Sequence, residues 1–169
     1  MTASTPSGGA SGRTGKQLLV RYEGVSPNPK QTGCQPGTRA LGLAIQDVYP
    51  ELQSMEGAYG CYNRRKIAGT ATWSLHAEGR ALDIGVGERW HELAWSLVCD
   101  LVANRLLYGT MRVMWDRHIW STERVDRYER LKPYTNQHLD HIHLEQFWRA
   151  AERPPTVQTQ LEEALRLSR

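Results

Sequence analysis

Two short stretches of this chain concentrate side chains that bind metals. In the first, His76 and Asp83 lie seven positions apart; in the second, His141 and His143 alternate around Ile142, with His138 just upstream. Zinc takes a small set of His, Asp, Glu or Cys ligands in a tetrahedron, and a catalytic site leaves one position open for water. His76, Asp83 and His143 would make such an open three-ligand site, with His141 and His138 as competing ligands. Taken singly, each of these residues is more often a satisfied surface or core side chain, so the case rests on their combination.

The elements that must carry these residues are legible from periodicity. Residues 80–86 alternate, with Leu82, Ile84 and Val86 on one face and Asp83 on the other, the pattern of a half-buried strand. Residues 141–147 alternate again, with Ile142 and Leu144 opposite His141, His143 and Glu145. A third strand is predicted over 110–115. Thr38 to Leu52 has helical spacing, with Thr38 as the N-cap. Glu88 to Leu107 carries the stripe Trp90, Leu93, Ala94, Leu97, Val98, Leu101 and Val102, which predicts one long helix. A helix is also predicted over 156–169. Residues 18–35, 57–73 and 116–137 read as loop, the second with β-prone pieces. The fold class is therefore α+β, a small antiparallel sheet flanked by helices in a single domain. The expected organisation is a disordered tail over 1–16, a catalytic domain over 17–150 and a C-terminal helix over 151–169.

Composition bounds the function without naming it. A chain of 169 residues, 40% apolar and 23% charged, can bury a core without staples. A net charge of +3 suits anionic surroundings but is too small to identify a wall or a nucleic acid. No apolar run reaches the roughly 20 residues that span a bilayer. No secretory signal is read at the N-terminus. Trp73, Trp115, Trp120 and Tyr134 suit either cleft walls or the core. The three cysteines show no C-x-x-C spacing, which excludes a zinc ribbon. Cys99 is expected to be a small buried hydrophobe. Cys34 and Cys61 lie near glycines in loop-like sequence, where an oxidising setting would allow a bridge. His91 and His118 are expected to be structural.

Residues 74–83 read Ser74-Leu75-His76-Ala77-Glu78-Gly79-Arg80-Ala81-Leu82-Asp83, which fits S-x-H-x-x-G-x-A-x-D. Residues 140–145, Asp140-His141-Ile142-His143-Leu144-Glu145, fit D-x-x-H-x-E. Together they resemble the two metal motifs of the zinc peptidase family that holds D-Ala-D-Ala carboxypeptidases and dipeptidases and the L-alanyl-D-glutamate peptidases of phage endolysins. The resemblance spans roughly residues 35–150. It implies a domain of the D-Ala-D-Ala carboxypeptidase (Hedgehog-like) type and zinc on His76, Asp83 and His143. It also implies Asp140 as general base and acid, where many relatives carry Glu. An upstream Arg would face the oxyanion, with Arg65 as first choice and Arg64 as second. Ser74 is expected to support the metal loop, Gly79 to form the turn before the strand, and His141 to shape the cleft or act behind the ligands.

The function so implied is hydrolysis of peptides in bacterial peptidoglycan. The expected protein is a monomer that binds neither nucleic acid nor membrane. It would be made in the host cytoplasm and act on the wall after holin-dependent release. A D-Ala-D-Ala carboxypeptidase of wall turnover is the alternative within the class. A metallonuclease would leave the first motif unexplained and lacks a concentrated Lys/Arg stripe. An inactive wall-binding module would not need every catalytic position filled.

Overall fold

The computed structural model describes residues 21–52, 60–123, 129–130 and 136–169. The tail expected over 1–16, and Tyr134, lie outside them. The chain forms an α+β domain with one five-stranded antiparallel sheet. The strands are β1 (Ala81–Gly85), β2 (Thr110–Trp115), β3 (His118–Ser121), β4 (Glu129–Arg130) and β5 (His141–Gln146), in the order β1-β5-β2-β3-β4. The helices are α1 (Pro36–Val48), α2 (His91–Ala103), α3 (Arg105–Tyr108), α4 (Trp148–Ala151) and α5 (Gln158–Ser168).

The period-two pattern decides which face of the sheet is buried. Leu82, Ile84, Val113, Ile142 and Leu144 pack with Trp115 against α1, α2 and α5 in one core cluster. The opposite face carries Asp83, His143 and Met114 in one cross-strand row, and Arg112 beside Glu145 in the next. Leu161 and Leu165 of α5 belong to the same core, so the C-terminal helix completes the domain rather than trailing from it. No helix among the described residues is long and apolar enough to cross a membrane.

Four local expectations need correction. First, α1 begins at Pro36, with Gln35 as N-cap, and Thr38 is buried inside the first turn. Proline at the first helical position has the right φ and lacks an N–H that would go unpaired there. Second, the helix expected over 88–107 is three pieces: a 3₁₀ turn over Glu88–Trp90, then α2 and α3. It breaks at Asn104, whose N–H bonds back to Asp100 O at 2.9 Å. Third, Cys99 is exposed, because the buried stripe of α2 runs through Ala94, Leu97, Val98 and Leu101 and position 99 falls outside it. Fourth, the loop expected over 116–137 contains β3 and β4. The β2–β3 turn is only Asp116-Arg117, both at positive φ (39° and 63°) between paired Trp115 and His118. That is the geometry of a tight hairpin turn, whose usual sequence signal is Asn-Gly or Asp-Gly. With Arg in the second place, the signal is missing. Trp115 and Trp120 are core residues, 2% and 1% exposed.

Cys34 and Cys61 form a disulfide across 27 positions of sequence. Closing a loop of that length in the unfolded chain stabilises the fold by roughly 3–4 kcal/mol in the chain-entropy account. The bond ties the segment before α1 to the segment before residue 74. Reduction should therefore lower the melting temperature by several degrees, measured by circular dichroism with and without a dithiol reductant; an unchanged melting curve with both thiols titrated as free would contradict this.

Candidate metal centre

The centre is built from two pieces of local structure. Ser74 caps a one-turn 3₁₀ helix, Leu75–Glu78, and its Oγ accepts from the His76 N–H at 3.4 Å. The turn ends at Gly79, which has left-handed backbone (φ 68°). A Cβ there would come within 2.1 Å of the Gly33 carbonyl oxygen, so glycine is required both for φ and for space. This confirms the expected turn before the strand, and it leaves His76 fixed and 1% exposed. The second piece is the β1–β5 pair, whose register sets Asp83 directly opposite His143.

Three ligand atoms meet between these pieces. His143 Nδ1 lies 2.7 Å from Asp83 Oδ1, His76 Nε2 lies 3.2 Å from the same oxygen, and the two imidazole nitrogens are 3.3 Å apart. A tetrahedral zinc with bonds of about 2.0–2.1 Å sets its ligand atoms about 3.3 Å apart. The triangle is therefore the size zinc needs, slightly tight on the side where a hydrogen bond now closes it. These three side chains are the group among the described residues that could hold a metal ion.

The outer nitrogen of each imidazole is also fixed. His76 Nδ1 sits 3.1 Å from the Cys61 carbonyl oxygen, and His143 Nε2 sits 3.2 Å from Glu145 Oε1. Both partners only accept, so each outer nitrogen donates, and the inner nitrogen of each ring is the one left to bind a metal once its proton is gone. That arrangement is the usual support of a metal-binding histidine.

The electrostatics follow from the contacts. Burial alone would raise the Asp83 carboxyl, but hydrogen bonds from His143 and His76 outweigh it and hold Asp83 well below the usual carboxylate range. Burial would lower His143, yet its bonds to Asp83 and Glu145 push it up to about 9. Glu145, also buried, is held at about 2 by the His143 hydrogen bond and the Arg112 charge.

The rim holds two further histidines. His141 Nε2 lies 3.8 Å from Asp83 Oδ1, and its Nδ1 bonds Asp140 Oδ1 at 2.7 Å. His138 stacks near both His141 and His143, with ring centroids 4.9 and 5.6 Å away. Burial and the neighbouring imidazoles lower His138 to about 4, and its Nδ1 donates to the Asn136 carbonyl. Asp140 is 71% exposed and meets the centre through His141 rather than directly. Its carboxyl is lowered chiefly by the His141 hydrogen bond. Arg64 and Arg65 lie on an exposed hairpin before the first motif, closed by a Lys66–Trp73 bridge. Arg64 lies over the Trp73 ring at 5.4 Å. The structure thus gathers His76, Asp83, His143 and His141, places Asp140 one step behind, and leaves both arginines on the surface. Glu145 has a supporting role that the sequence reading did not assign, although period two already placed it on the His143 face.

A proton and a metal compete for the His143 Nδ1 lone pair. Because that group keeps its proton up to about pH 9 in the metal-free protein, zinc uptake near pH 7 should release a proton, and affinity should rise with pH until about 9. Calorimetry in buffers of different ionisation enthalpy checks this; binding without proton release between pH 6 and 8 would contradict it.

Comparison with known proteins gives a single positive finding. The profile of the family described as VldE, C-terminal domain, matches residues 30–141, about two thirds of the chain. The match includes His76 and Asp83 and ends just short of His143. No curated protein and no solved structure matches. On the extent of that match, this chain belongs to the family of the VldE C-terminal domain.

Proposed function

We propose that this protein is a zinc-dependent peptidase that hydrolyses peptide bonds in the stem peptides or cross-links of bacterial peptidoglycan. The observation that carries the reading is the convergence of His76 Nε2, Asp83 Oδ1 and His143 Nδ1, with both outer nitrogens held. The resemblance of residues 74–83 and 140–145 to the motifs of D-Ala-D-Ala carboxypeptidases and endolysin peptidases supplies the substrate class. It also supplies the finer fold assignment, the D-Ala-D-Ala carboxypeptidase (Hedgehog-like) type.

When bound, zinc would supply Lewis acidity toward a scissile carbonyl and a nearby water. The protein's own residues must then move protons and orient substrate. Asp140 and His141 form a hydrogen-bonded pair whose inner nitrogen, His141 Nε2, faces the centre. In this reading His141 takes the proton from the attacking water and returns it to the leaving amine, while Asp140 fixes its tautomer. That refines the assignment of Asp140 as the base: the proton reaches it only through the imidazole. A cavity lined by Val86, His91, Trp115, Leu139 and Asp140 lies on the Asp140 side of this pair. Arg65 is the proposed oxyanion partner; Arg64 is the weaker choice, since its guanidinium is already stacked on Trp73. The physiological setting that fits is a phage endolysin acting as an endopeptidase after holin-dependent release, because weakening a mesh requires cuts within it. A carboxypeptidase would remove only terminal residues.

Digestion of purified peptidoglycan by zinc-loaded protein, with fragments read by mass spectrometry, tests this. New amino termini inside the stem peptide or cross-bridge are expected, and loss of terminal D-Ala alone would favour the carboxypeptidase. His143→Ala should lose on the order of 10³-fold in rate, the several kcal/mol a metal contributes. His141→Ala should lose roughly 10²–10⁴-fold and Asp140→Asn clearly less. Unchanged lysis by His143→Ala, or cleavage of DNA with intact wall, would overturn the proposal.

A further inference from the structure

Residues 21–35 carry no metal ligand and read as loop, yet their first part crosses behind the metal centre and is stitched to it. Arg80 and Glu78 stand inside the first metal motif and are 0% and 1% exposed. Neither reaches the ligands. Glu78 Oε2 accepts from Arg80 Nε at 2.7 Å, and its other oxygen accepts from the Ser26 N–H at 2.7 Å. Arg80 Nη2 donates to the carbonyls of Glu23 and Gly24 at 3.0 and 2.6 Å. The Trp148 N–H donates to Glu23 Oε2 at 2.7 Å. A buried ion pair of this kind costs desolvation and is retained only where its hydrogen bonds are all used. Here Glu78 and Arg80 Nη2 hold one strap of chain, residues 22–26, while Arg80 Nη1 donates to the Gln146 carbonyl at 2.9 Å.

What the strap delivers is the Tyr22 phenol. Tyr22 Oη donates to Glu145 Oε2 at 2.8 Å, while Glu145 Oε1 accepts from His143 Nε2 at 3.2 Å. One carboxylate therefore has one oxygen on the histidine and the other on the tyrosine. Arg112 Nη1 closes the network, 3.3 Å from Glu145 Oε2 and 3.1 Å from Tyr22 Oη, with its guanidinium 4.1 Å over the Tyr22 ring. Glu145 is 5% exposed, so no water substitutes easily for the phenol.

We propose that Tyr22 is a positioning residue for the metal centre, setting the rotamer of Glu145 and through it the orientation of His143. The inference rests on the metal-centre reading above. It makes residues 22–26 part of the functional unit, so that docking of the strap sets how tightly the metal is held. Partners behind a metal-binding histidine contribute about 10–100-fold in affinity, and a residue one contact further out contributes less.

The test measures zinc affinity by competition with a chromophoric chelator, together with the visible spectrum of the cobalt(II)-substituted protein. Wild type, Tyr22→Phe, Glu145→Gln and the double variant are compared. Tyr22→Phe keeps the ring and its cation–π contact and removes only the hydroxyl. It should weaken zinc about 3- to 10-fold and shift the cobalt spectrum, and Glu145→Gln should weaken zinc about 10- to 100-fold. The double variant should match Glu145→Gln, because both changes act along one path. A purely structural tyrosine would lower the melting temperature and leave affinity and spectrum at wild-type values; that result overturns the inference. If wild type itself takes up neither metal, the metal-centre reading falls first, and the two failures are told apart by that control.

Discussion

The antiparallel pairing of β1 with β5 sets Asp83 opposite His143, and the 2.7 Å contact between them organises the rest of the centre. A strand's side chains alternate, so a slip of one residue in either strand would turn that strand's ligand into the core and bring Leu82 or Ile142 out. Register is held from the other face of the sheet. Leu82, Ile84, Ile142 and Leu144 are all fully buried against the helices, and any slip would expose them. Hydrophobic burial on one side thus fixes ligand geometry on the other. His76 must then be brought to a position already defined, which the Ser74 cap, the one-turn 3₁₀ helix and Gly79 accomplish together.

Around the ligands the protein supports each imidazole differently. His76 leans on a backbone carbonyl, that of Cys61, whose own position is tied by the disulfide to Cys34. His143 leans on a side chain, Glu145, itself held within a network of charges and a phenol. The rim has a third character. Asp116, Arg117 and His138 are the positive-φ residues other than glycine among the described residues, and they are joined by backbone bonds from Asp116 N to His138 O and from Arg117 N to Gln137 O. Left-handed backbone costs such residues of order 1 kcal/mol each. The strain is concentrated beside His141, where it orients the turn that carries His138 toward the centre.

Much of this was legible in the residues. Alternation over 80–86 and 141–147 was enough to place Asp83 and His143 on polar faces, and the ten-residue pattern around His76 identified its partner. The stripe of α2 was visible too, though not its break at Asn104, where the backbone leaves helical values (φ −100°, ψ 28°) although no proline or glycine stands there. The hairpin through Asp116-Arg117 was invisible for a related reason: tertiary pairing holds a turn whose local sequence lacks glycine. The supporting shell was the hardest to see. Tyr22 and Glu145 are 123 positions apart, and no local period connects them. Asp140 differs again: motif spacing says that an acid is near the metal and says nothing about the imidazole it bonds.

The account stands or falls on the three-residue metal centre. X-ray absorption of the zinc-loaded protein at the zinc edge tests it most directly. The account requires about one zinc per chain in a first shell of nitrogen and oxygen alone at about 2.0–2.1 Å, with imidazole scattering that diminishes in His76→Ala. Zinc bound through sulfur, or a spectrum unchanged by loss of His76, would contradict it.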